Sequence, residues 1–452
     1  MSIFGNLEKY QHSIRFHTPG HKGRMEHEPI GLAYIDMTEL KDTDCLHRPQ
    51  GVIDQAQKRI ADVYKVAESR MLVNGSSGGL LASIMASFSP KDKVLLPRGS
   101  HLSVYHGLML QDIEPVYVYP DASLPAEAGT IRLEDILAAE QKHALAGLIV
   151  TYPTYLGTCA DIAKIAVWAQ DNAKILLVDE AHGAHLALCE DYPIAAERTG
   201  ADIVVQSTHK MLSSLTQSAV LHIASNKVDR AKLDLYLRLF QSSSPSYLLL
   251  ASLEEAINYA AKNAREAFAT IAKSREMFSR MLAGERFELW QPKGIYDPAK
   301  WVIFLRDKGL EGREVLRQLS EKNIEMEYGA DNFVLAYCGI GTTKDDIIKL
   351  SHALNDIEPN KKNATIQSKY SYPPATARMS MKEAVAQKSA YLSVQQSAGH
   401  ISADFVVPYP PGIPLLVPGE VISDEIAKMM VCFNQRGQTV LGVHGGEVKV
   451  IQ

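Results

Sequence analysis

Between about residues 70 and 225, short apolar runs alternate with longer amphipathic stretches. This alternation is typical of βα units, in which helices cover both faces of a largely parallel sheet. Several runs are continuously apolar, as expected for strands that are buried on both faces. The predicted strands lie at residues 71–73, 93–96, 114–119, 147–150, 174–178 and 202–205. The pattern therefore predicts an α/β fold built on a large, mostly parallel sheet.

The remainder of the chain changes character twice. From Leu253 to about Leu282 the pattern is helical and rich in alanine, and weaker strand and helix signals follow to about Asn355. A polar stretch with paired prolines then separates this part from the C-terminal residues, as is typical of a linker. We expect four parts, which are a large domain with the N-terminal segment (1–255), a small α+β domain (256–358), a linker (359–379) and an appended C-terminal domain (380–452).

Composition and charge exclude several classes of protein. The 452 residues are 46% hydrophobic and 22% charged, as in ordinary globular proteins. A formal charge of −5 provides no strong attraction for nucleic acid. No apolar run is long enough to span a bilayer, and the five cysteines are widely scattered without a CxxC pair. We therefore expect a cytoplasmic protein with reduced thiols and a small-molecule partner, bound neither to nucleic acid nor to a membrane.

A loop rich in glycine and serine, Asn74-Gly-Ser-Ser-Gly-Gly79, follows the first predicted strand and precedes a helical pattern. Such a loop can offer backbone N–H groups, the hydroxyls of Ser76 and Ser77 and a helix N-terminus to a phosphate group. A plain turn is the alternative, since the loop fits neither of the common nucleotide-binding motifs.

Asp179 and Lys210 each stand just past a predicted strand, at the edge of the sheet where α/β proteins bind ligands. The string Asp179-Glu-Ala-His182 also occurs in one class of nucleic-acid helicases. Those proteins need a Walker A lysine, however, and this sequence has no Gly-Lys dipeptide. The string Ser207-Thr-His209-Lys210 ends in an amine that can form a Schiff base, although a lysine taken alone is more often a surface residue.

The order of these motifs matters more than any one of them. A phosphate loop, a strand-end aspartate and a strand-end lysine are the groups that pyridoxal 5'-phosphate (PLP) demands. They supply a phosphate cup, an anion for the pyridine nitrogen and an amine for the aldehyde. His101, after the strand at 93–96, could stack on the cofactor ring, or it could be an ordinary loop histidine. Thr154 follows the strand at 147–150 and could line the same pocket, or belong to a turn set by Pro153.

Metal binding is the other interpretation of the histidines. His182 and His185 are three residues apart, and His17 and His21 are four apart. The first pair has no third ligand in an obvious motif, and a Pro-Gly pair between the second two excludes a shared helical face. We therefore predict no metal ion.

The sequence resembles the ornithine/lysine/arginine decarboxylases, which are PLP-dependent enzymes of fold type I, the aspartate-aminotransferase fold. The resemblance spans nearly the whole chain and fits the short form of the family, without a receiver-like N-terminal wing. The strings that carry it are Phe16-His-Thr-Pro-Gly-His-Lys-Gly23, Asp36-Met-Thr-Glu-Leu40 with Asp44 and Leu46, the pair Asp179 and Lys210, Thr216-Gln-Ser218, and Pro410-Pro-Gly-Ile-Pro-Leu-Leu-Val-Pro-Gly-Glu420.

The resemblance implies decarboxylation of arginine, lysine or ornithine to the corresponding amine and CO₂, as in polyamine biosynthesis. It implies that Lys210 bonds the cofactor aldehyde, that Asp179 pairs with the pyridine nitrogen and that His101 covers the ring. It further implies a proton donor to the substrate's Cα, which is Lys210 or His209, and a homodimer or larger homo-oligomer. The other implied contacts are Ser76, Ser77, Ser207 and His209 at the phosphate, Thr154, Ala181 and His182 around the ring, and Glu420 at the distal cation of the substrate.

Two departures from the family pattern and three alternatives remain open. Leu102 stands where the family usually has a lysine after the stacking histidine, and the loop at 75–79 is poorer in threonine and serine. Glu420 could instead belong to the N-terminal region of a following helix. Transamination or elimination would use the same cofactor residues, and a non-catalytic, decarboxylase-like regulatory subunit is the third alternative.

Overall fold

The computed structural model describes residues 2–9, 12–13, 15, 19, 22, 24, 30–120, 125–282, 284–359, 373–374, 376–435 and 438–452. His17 and His21, with most of the motif at 16–23, lie outside these residues. Most of the predicted linker at 359–379 does so too.

A seven-stranded sheet forms the centre of the fold, in the strand order β1-β7-β6-β5-β4-β2-β3. Its strands are β1 (Glu68–Leu72), β2 (Lys93–Pro97), β3 (Glu114–Val118), β4 (Leu145–Thr151), β5 (Ile175–Asp179), β6 (Ile203–Gln206) and β7 (Ala219–Ile223). Only β7 pairs antiparallel with its neighbours, and the other pairings are parallel. The predicted α/β fold with a large, mostly parallel sheet is confirmed.

Two hydrophobic cores cover the two faces of this sheet. In β5, Leu176 and Val178 belong to one core, whereas Leu177 between them belongs to the other. Burial of each such side chain contributes about 1.5–3 kcal/mol to stability. Because both faces are buried, central strands such as β5 and β6 read in the sequence as largely continuous apolar runs.

Helices connect the strands and pack on the two faces. They are α1 (Ile3–Glu8), α2 (Val52–Tyr64), α3 (Gly75–Ser87), α4 (Leu102–Gln111), α5 (Leu133–Glu140), α6 (Ile162–Asp171), α7 (Thr208–Met211), α8 (Arg230–Phe240) and α9 (Tyr247–Met281). Helix α9 has 35 residues and runs through the predicted boundary at 255/256. Within the described part of the chain, no helix combines the length and apolar character needed to cross a membrane.

A smaller antiparallel sheet follows α9, in the strand order β10-β11-β9-β8. Its strands are β8 (Phe287–Leu289), β9 (Lys300–Leu305), β10 (Tyr328–Gly329) and β11 (Phe333–Tyr337), with α10 (Gly312–Ser320) and α11 (Lys344–Asn355). This α+β arrangement agrees with the predicted small domain, although the exact domain boundaries stay predictions.

The C-terminal residues form a third unit with its own core, which includes Leu416, Ile426 and Met430. Its elements are α12 (Met381–Val385), β12 (Ser389–Ser393), β13 (Val407–Pro408), α13 (Asp424–Gln435), β14 (Val440–Leu441), β15 (Val443–His444) and β16 (Glu447–Ile451). The unit contacts the large domain at the start of α4, where the Leu102 N–H donates to the carbonyl of Gly412 (2.9 Å).

Candidate active site

The carboxyl ends of the strands bring the predicted motifs to one edge of the large sheet. Asp179 ends β5, Ser207 follows β6, and His101 and Thr154 follow β2 and β4. The glycine-rich loop after β1 reaches the same edge, because the Ser207 hydroxyl donates to Ser76 Oγ over 2.8 Å. Separate sequence motifs therefore converge on a single site.

The loop at 74–79 forms the N-terminus of α3, which begins at Gly75. Gly75 has a φ of +67°, a conformation that favours glycine, and its N–H donates to the carbonyl of Gln217 (2.9 Å). The backbone of Gln217, within the Thr216-Gln-Ser218 string, thus holds the start of this loop. Ser77 is exposed in the first turn of α3, and Ser76 is half-buried. This is a suitable cradle for a phosphate group.

Asp179 is a buried carboxylate with little local support. It is 3% exposed, and the described hydrogen bond to its side chain is from the Ala181 N–H to Oδ1 (3.2 Å). Burial raises the pKa of Asp179, and the positive charge of Lys210 opposes this rise. Burial also lowers the pKa of Lys210, against the charges of Asp179 and Glu327. Such a carboxylate is stabilised as an anion by a further cation nearby.

His182 lies between two lysines. Its Nε2 is 3.0 Å from Lys210 Nζ, and its Nδ1 is 3.3 Å from Lys300 Nζ. Burial, together with the two lysine charges, holds the pKa of His182 well below its usual range. The rings of Tyr155 and Tyr337 meet the imidazole edge-on, with centroids 5.6 and 5.4 Å away. His182 is therefore a neutral imidazole fixed beside the predicted reactive lysine.

His101 caps the N-terminus of α4 and contacts the C-terminal unit. Its Nδ1 accepts from the Ser103 N–H (3.2 Å) and is 2.8 Å from Ser103 Oγ. Gly412 approaches it so closely that a Cβ there would be 2.9 Å from His101 Nε2. Burial and the charge of Lys210 lower the pKa of His101 to about 3. The charge of Lys210 thus acts on His101, and the stacking of His101 on a cofactor ring stays a prediction.

His209 and Thr154 have hydrogen-bond partners within their own loops. His209 Nδ1 is 2.9 Å from the carbonyl of Ser218, which identifies Nδ1 as the protonated nitrogen. Burial lowers the pKa of His209, against that hydrogen bond. The Thr154 hydroxyl is 2.7 Å from the hydroxyl of Thr158. The predicted contacts of both residues with a cofactor stay predictions.

Glu420 has a cation as its partner within the same chain. Glu420 and Arg98 are each 1% exposed, and Arg98 Nη2 donates to Glu420 Oε2 over 3.1 Å. The Val417 N–H donates to the same oxygen (2.9 Å). The following helix is capped instead by Ser423, whose hydroxyl accepts from the Ile426 N–H (3.2 Å).

Two site residues come from the small domain and were not predicted from the sequence. Lys300 is 3% exposed and opens β9, and Glu327 is exposed and accepts from the Tyr155 hydroxyl over 2.8 Å. In the sequence, Lys300 stands immediately before the apolar run at 301–305, and no local pattern marks it as a site residue. His185, three residues after His182, hydrogen-bonds Asp297 at 3.2 Å. Among the described residues, no group of three potential ligands is placed to bind a metal ion.

Comparison with known proteins identifies the family to which this chain belongs. Residues 3–308 match the major domain of the Orn/Lys/Arg decarboxylases, and residues 360–441 match their C-terminal domain. The chain therefore belongs to the Orn/Lys/Arg decarboxylase family of amino-acid carboxy-lyases. The predicted family and enzyme class are confirmed.

Individual relatives agree with this assignment. The chain is similar to the uncharacterized protein YaaO of Bacillus subtilis, with 35% identity over 92% of this chain and 90% of the relative. It is similar to the arginine decarboxylase of the same organism, with 32% identity over 94% and 91%. Lysine decarboxylase A from Pseudomonas aeruginosa superposes with a TM-score of 0.83 at 21% identity, over 100% of this chain and 80% of that one. At that identity the superposition supports the fold alone.

Proposed function

We propose that this protein decarboxylates a basic amino acid, with PLP bonded to Lys210. The observation that carries the proposal is the convergence of Lys210, buried Asp179 and the Ser76–Ser207 hydroxyl pair at one sheet edge. These groups match the three demands of PLP, for an amine, an anion and a phosphate cradle. When bound, PLP supplies a conjugated ring that takes up the electron pair of the broken bond between Cα and the carboxylate.

The residues of the site fit this cofactor. The two serine hydroxyls and the first turn of α3 can hold the phosphate, with Ser77 and His209 beside them. A protonated ring nitrogen would stabilise the anionic form of Asp179, whose burial otherwise raises its pKa. Ala181, Thr154 and His182 would surround the ring; these roles agree with the order of the motifs along the sheet edge.

The chain's own groups would also set the protonation states. Because burial lowers the pKa of Lys210, more of its amine is neutral and nucleophilic near neutral pH. His101, with a pKa of about 3, is uncharged there and can lie against a cofactor ring without adding a cation. We assign the return of a proton to Cα to Lys210 or His209, which are adjacent in the chain.

Two acids are candidates for the distal cation of the substrate. Glu420 stays the prediction from the family resemblance, although its described partner is Arg98. Glu327 is favoured by the described contacts, because it is exposed and its charge acts on both Lys210 and Lys300. The Tyr155 hydroxyl orients its carboxylate (2.8 Å). We propose Glu327 as the principal partner of the substrate's ammonium or guanidinium group.

Glu327→Gln tests this choice. Loss of a charged partner costs about 1.5–3 kcal/mol, so KM should rise about 10- to 100-fold with a smaller change in kcat. Glu420→Gln is the matched comparison and should mainly reduce stability, because it removes the counterion of buried Arg98. Steady-state kinetics on both variants separate the two acids, and a KM effect confined to Glu420→Gln would reject Glu327.

Arginine is the favoured substrate among arginine, lysine and ornithine, because relatives at 30–32% identity carry the name arginine decarboxylase. The proposed setting is a cytoplasmic homodimer or larger homo-oligomer that supplies amines for polyamine synthesis.

Incubation with PLP, borohydride reduction and peptide mass mapping test the cofactor site. Label on Lys210 supports the proposal, and label on another residue, or none, contradicts it.

A further inference from the structure

A second lysine, Lys300, stands inside the site, and it is buried. Lys300 Nζ is 3.3 Å from His182 Nδ1, 3.4 Å from Met211 Sδ and 3.2 Å from the centroid of the Tyr337 ring. Among the described residues, Lys300 forms no ion pair with a carboxylate. Burying an ammonium group without a carboxylate partner costs free energy. Packing alone therefore does not explain a lysine at this position.

The fold directs this side chain into the site. Lys300 lies opposite Tyr337 in the β9–β11 register, which explains the contact of its Nζ with that ring. Gly157, with a φ of +94°, makes room for it, since a Cβ there would lie 2.6 Å from Lys300 Cβ. Strand register and a close backbone approach therefore hold Lys300 against His182.

The imidazole of His182 couples the two lysines. A neutral imidazole has one N–H donor and one acceptor nitrogen. With Lys210 at Nε2 (3.0 Å) and Lys300 at Nδ1 (3.3 Å), both hydrogen bonds are well formed when one lysine is an ammonium and the other a neutral amine. Protonation of one lysine then favours deprotonation of the other.

We propose that Lys300 is a positioning residue that, through His182, accepts the proton that Lys210 must lose to react and later returns it. In the forward direction the Lys210 ammonium gives a proton to His182 Nε2, and His182 Nδ1 gives its proton to Lys300 Nζ. The three groups keep one positive charge in total, and no other reactant is needed. The inference rests on the proposed function, because it takes Lys210 as the amine that bonds PLP.

The surroundings of Lys300 favour this exchange. The pKa of Lys300 is lowered to about 7, chiefly by burial and also by the charge of Lys210, against the opposing charges of Asp297, Glu327 and Cys338. Burial lowers the pKa of Lys210 as well. The two amines are thus shifted in the same direction, which keeps the free-energy cost of moving a proton between them small.

The test measures how fast protein freed of cofactor captures PLP between about pH 6 and pH 9. Capture is followed by visible absorbance, and borohydride reduction with peptide mapping identifies the lysine. Lys300→Met removes the proton acceptor, so the midpoint of the rate–pH curve should move up by about one pH unit, with capture about tenfold slower near neutral pH. Lys300→Arg keeps a permanent cation at Nδ1 of His182, which favours the neutral amine of Lys210, so its midpoint should move down.

Opposite shifts in these two variants distinguish proton exchange between Lys210 and Lys300 through His182, which we call the relay, from a purely structural role of Lys300. An unchanged midpoint in Lys300→Met, or upward shifts in both variants, overturns the inference while leaving the proposed function intact. Failure of the unmodified protein to capture PLP at Lys210 overturns both.

Two further variants control for folding and position. His182→Asn interrupts the hydrogen-bonded series Lys210–His182–Lys300, so it should raise the midpoint as Lys300→Met does. Adding Lys300→Met to His182→Asn should then cause no further shift. This pair keeps the test decisive if Lys300→Met alone does not fold; a further shift in the double variant counts against the relay. Lys174→Met removes a partly buried lysine at the opposite edge of the sheet, where it pairs with Glu140, and should leave the midpoint unchanged.

Discussion

Asp179 is the residue whose charge matters most to the proposed reaction, because it is buried and is the proposed partner of the ring nitrogen of PLP. Asp179→Asn keeps the size of the side chain and removes the charge. We expect PLP still to bind at Lys210, while kcat falls about 10²- to 10³-fold, as when other preorganised electrostatic groups are removed. Absorbance and kcat measured on one preparation check both parts.

The matched control is Asp202→Asn, which changes another buried aspartate at the opposite edge of the sheet. Asp202 accepts from the Leu176 N–H (2.8 Å). This variant is expected to lose stability and keep its kcat. Near-normal turnover in Asp179→Asn would reject the electrostatic role of Asp179.

His222 gives a prediction for the pH dependence of stability. It is fully buried between Ser69 (2.8 Å) and Gln206 (3.2 Å), and burial lowers its pKa to about 3. Between its unfolded pKa of about 6.5 and about 3, the unfolded chain binds the extra proton, so this contribution to stability falls as pH falls. His222→Asn should reduce that slope by about 1.4 kcal/mol per pH unit in urea unfolding. An unchanged slope in His222→Asn would contradict this.

The sequence allowed part of the site to be predicted and concealed the rest. Asp179 and Lys210 follow apolar strands of a parallel sheet, so their positions along the chain already place them at one edge. Lys300 and Glu327 reach that edge from the other sheet, and only tertiary packing brings them there. The Arg98 partner of Glu420 lies more than 300 residues away, which no local pattern reveals.

At the scale of elements, the contact of α3 with the sheet fixes the serine cradle. A Cβ at Gly79 would lie 2.5 Å from Leu72 Cδ1 and 3.0 Å from Val205 Cγ1. Gly79→Ala should therefore cost about 1–3 kcal/mol and displace the helix that carries Ser76, weakening PLP binding about tenfold. Equilibrium titration with PLP measures this. Gly341→Ala, where a Cβ meets nothing within 4 Å, is the control, and equal affinities would show that α3 does not need this contact.

Elements with a strong hydrophobic pattern were predicted well. The six predicted strands correspond to β1–β6, and burial on both faces makes β2, β4, β5 and β6 largely apolar runs. Strand β7 was not among them, although all five of its residues are buried. It contains His222, whose polarity is satisfied only by partners on neighbouring strands. The uninterrupted α9 likewise shows that a change of sequence character does not fix a domain boundary.

At the scale of the whole molecule, Arg98 joins the large sheet to the C-terminal unit. It donates to the carbonyls of Pro414 (2.8 Å) and Leu415 (3.1 Å) and to Glu420 (3.1 Å). Arg98→Met leaves a buried carboxylate without this cation, which should cost about 3–5 kcal/mol. Limited proteolysis should then release the C-terminal unit faster than in the unmodified protein.

The double variant Arg98→Met/Glu420→Gln shows whether charge is the cause. Removing both charges should recover much of the resistance to proteolysis, since the uncompensated carboxylate is gone. If the single variant is as resistant as the unmodified protein, the ion pair does not hold the unit in place.

The central claim is decarboxylation of a basic amino acid at Lys210. Its most direct test supplies PLP and, separately, arginine, lysine or ornithine, and measures CO₂ while identifying the amine by mass spectrometry. We predict CO₂ and agmatine, cadaverine or putrescine in equal amounts from at least one substrate, and neither product from Lys210→Ala. No CO₂ from any of the three, or undiminished release by Lys210→Ala, would contradict the account.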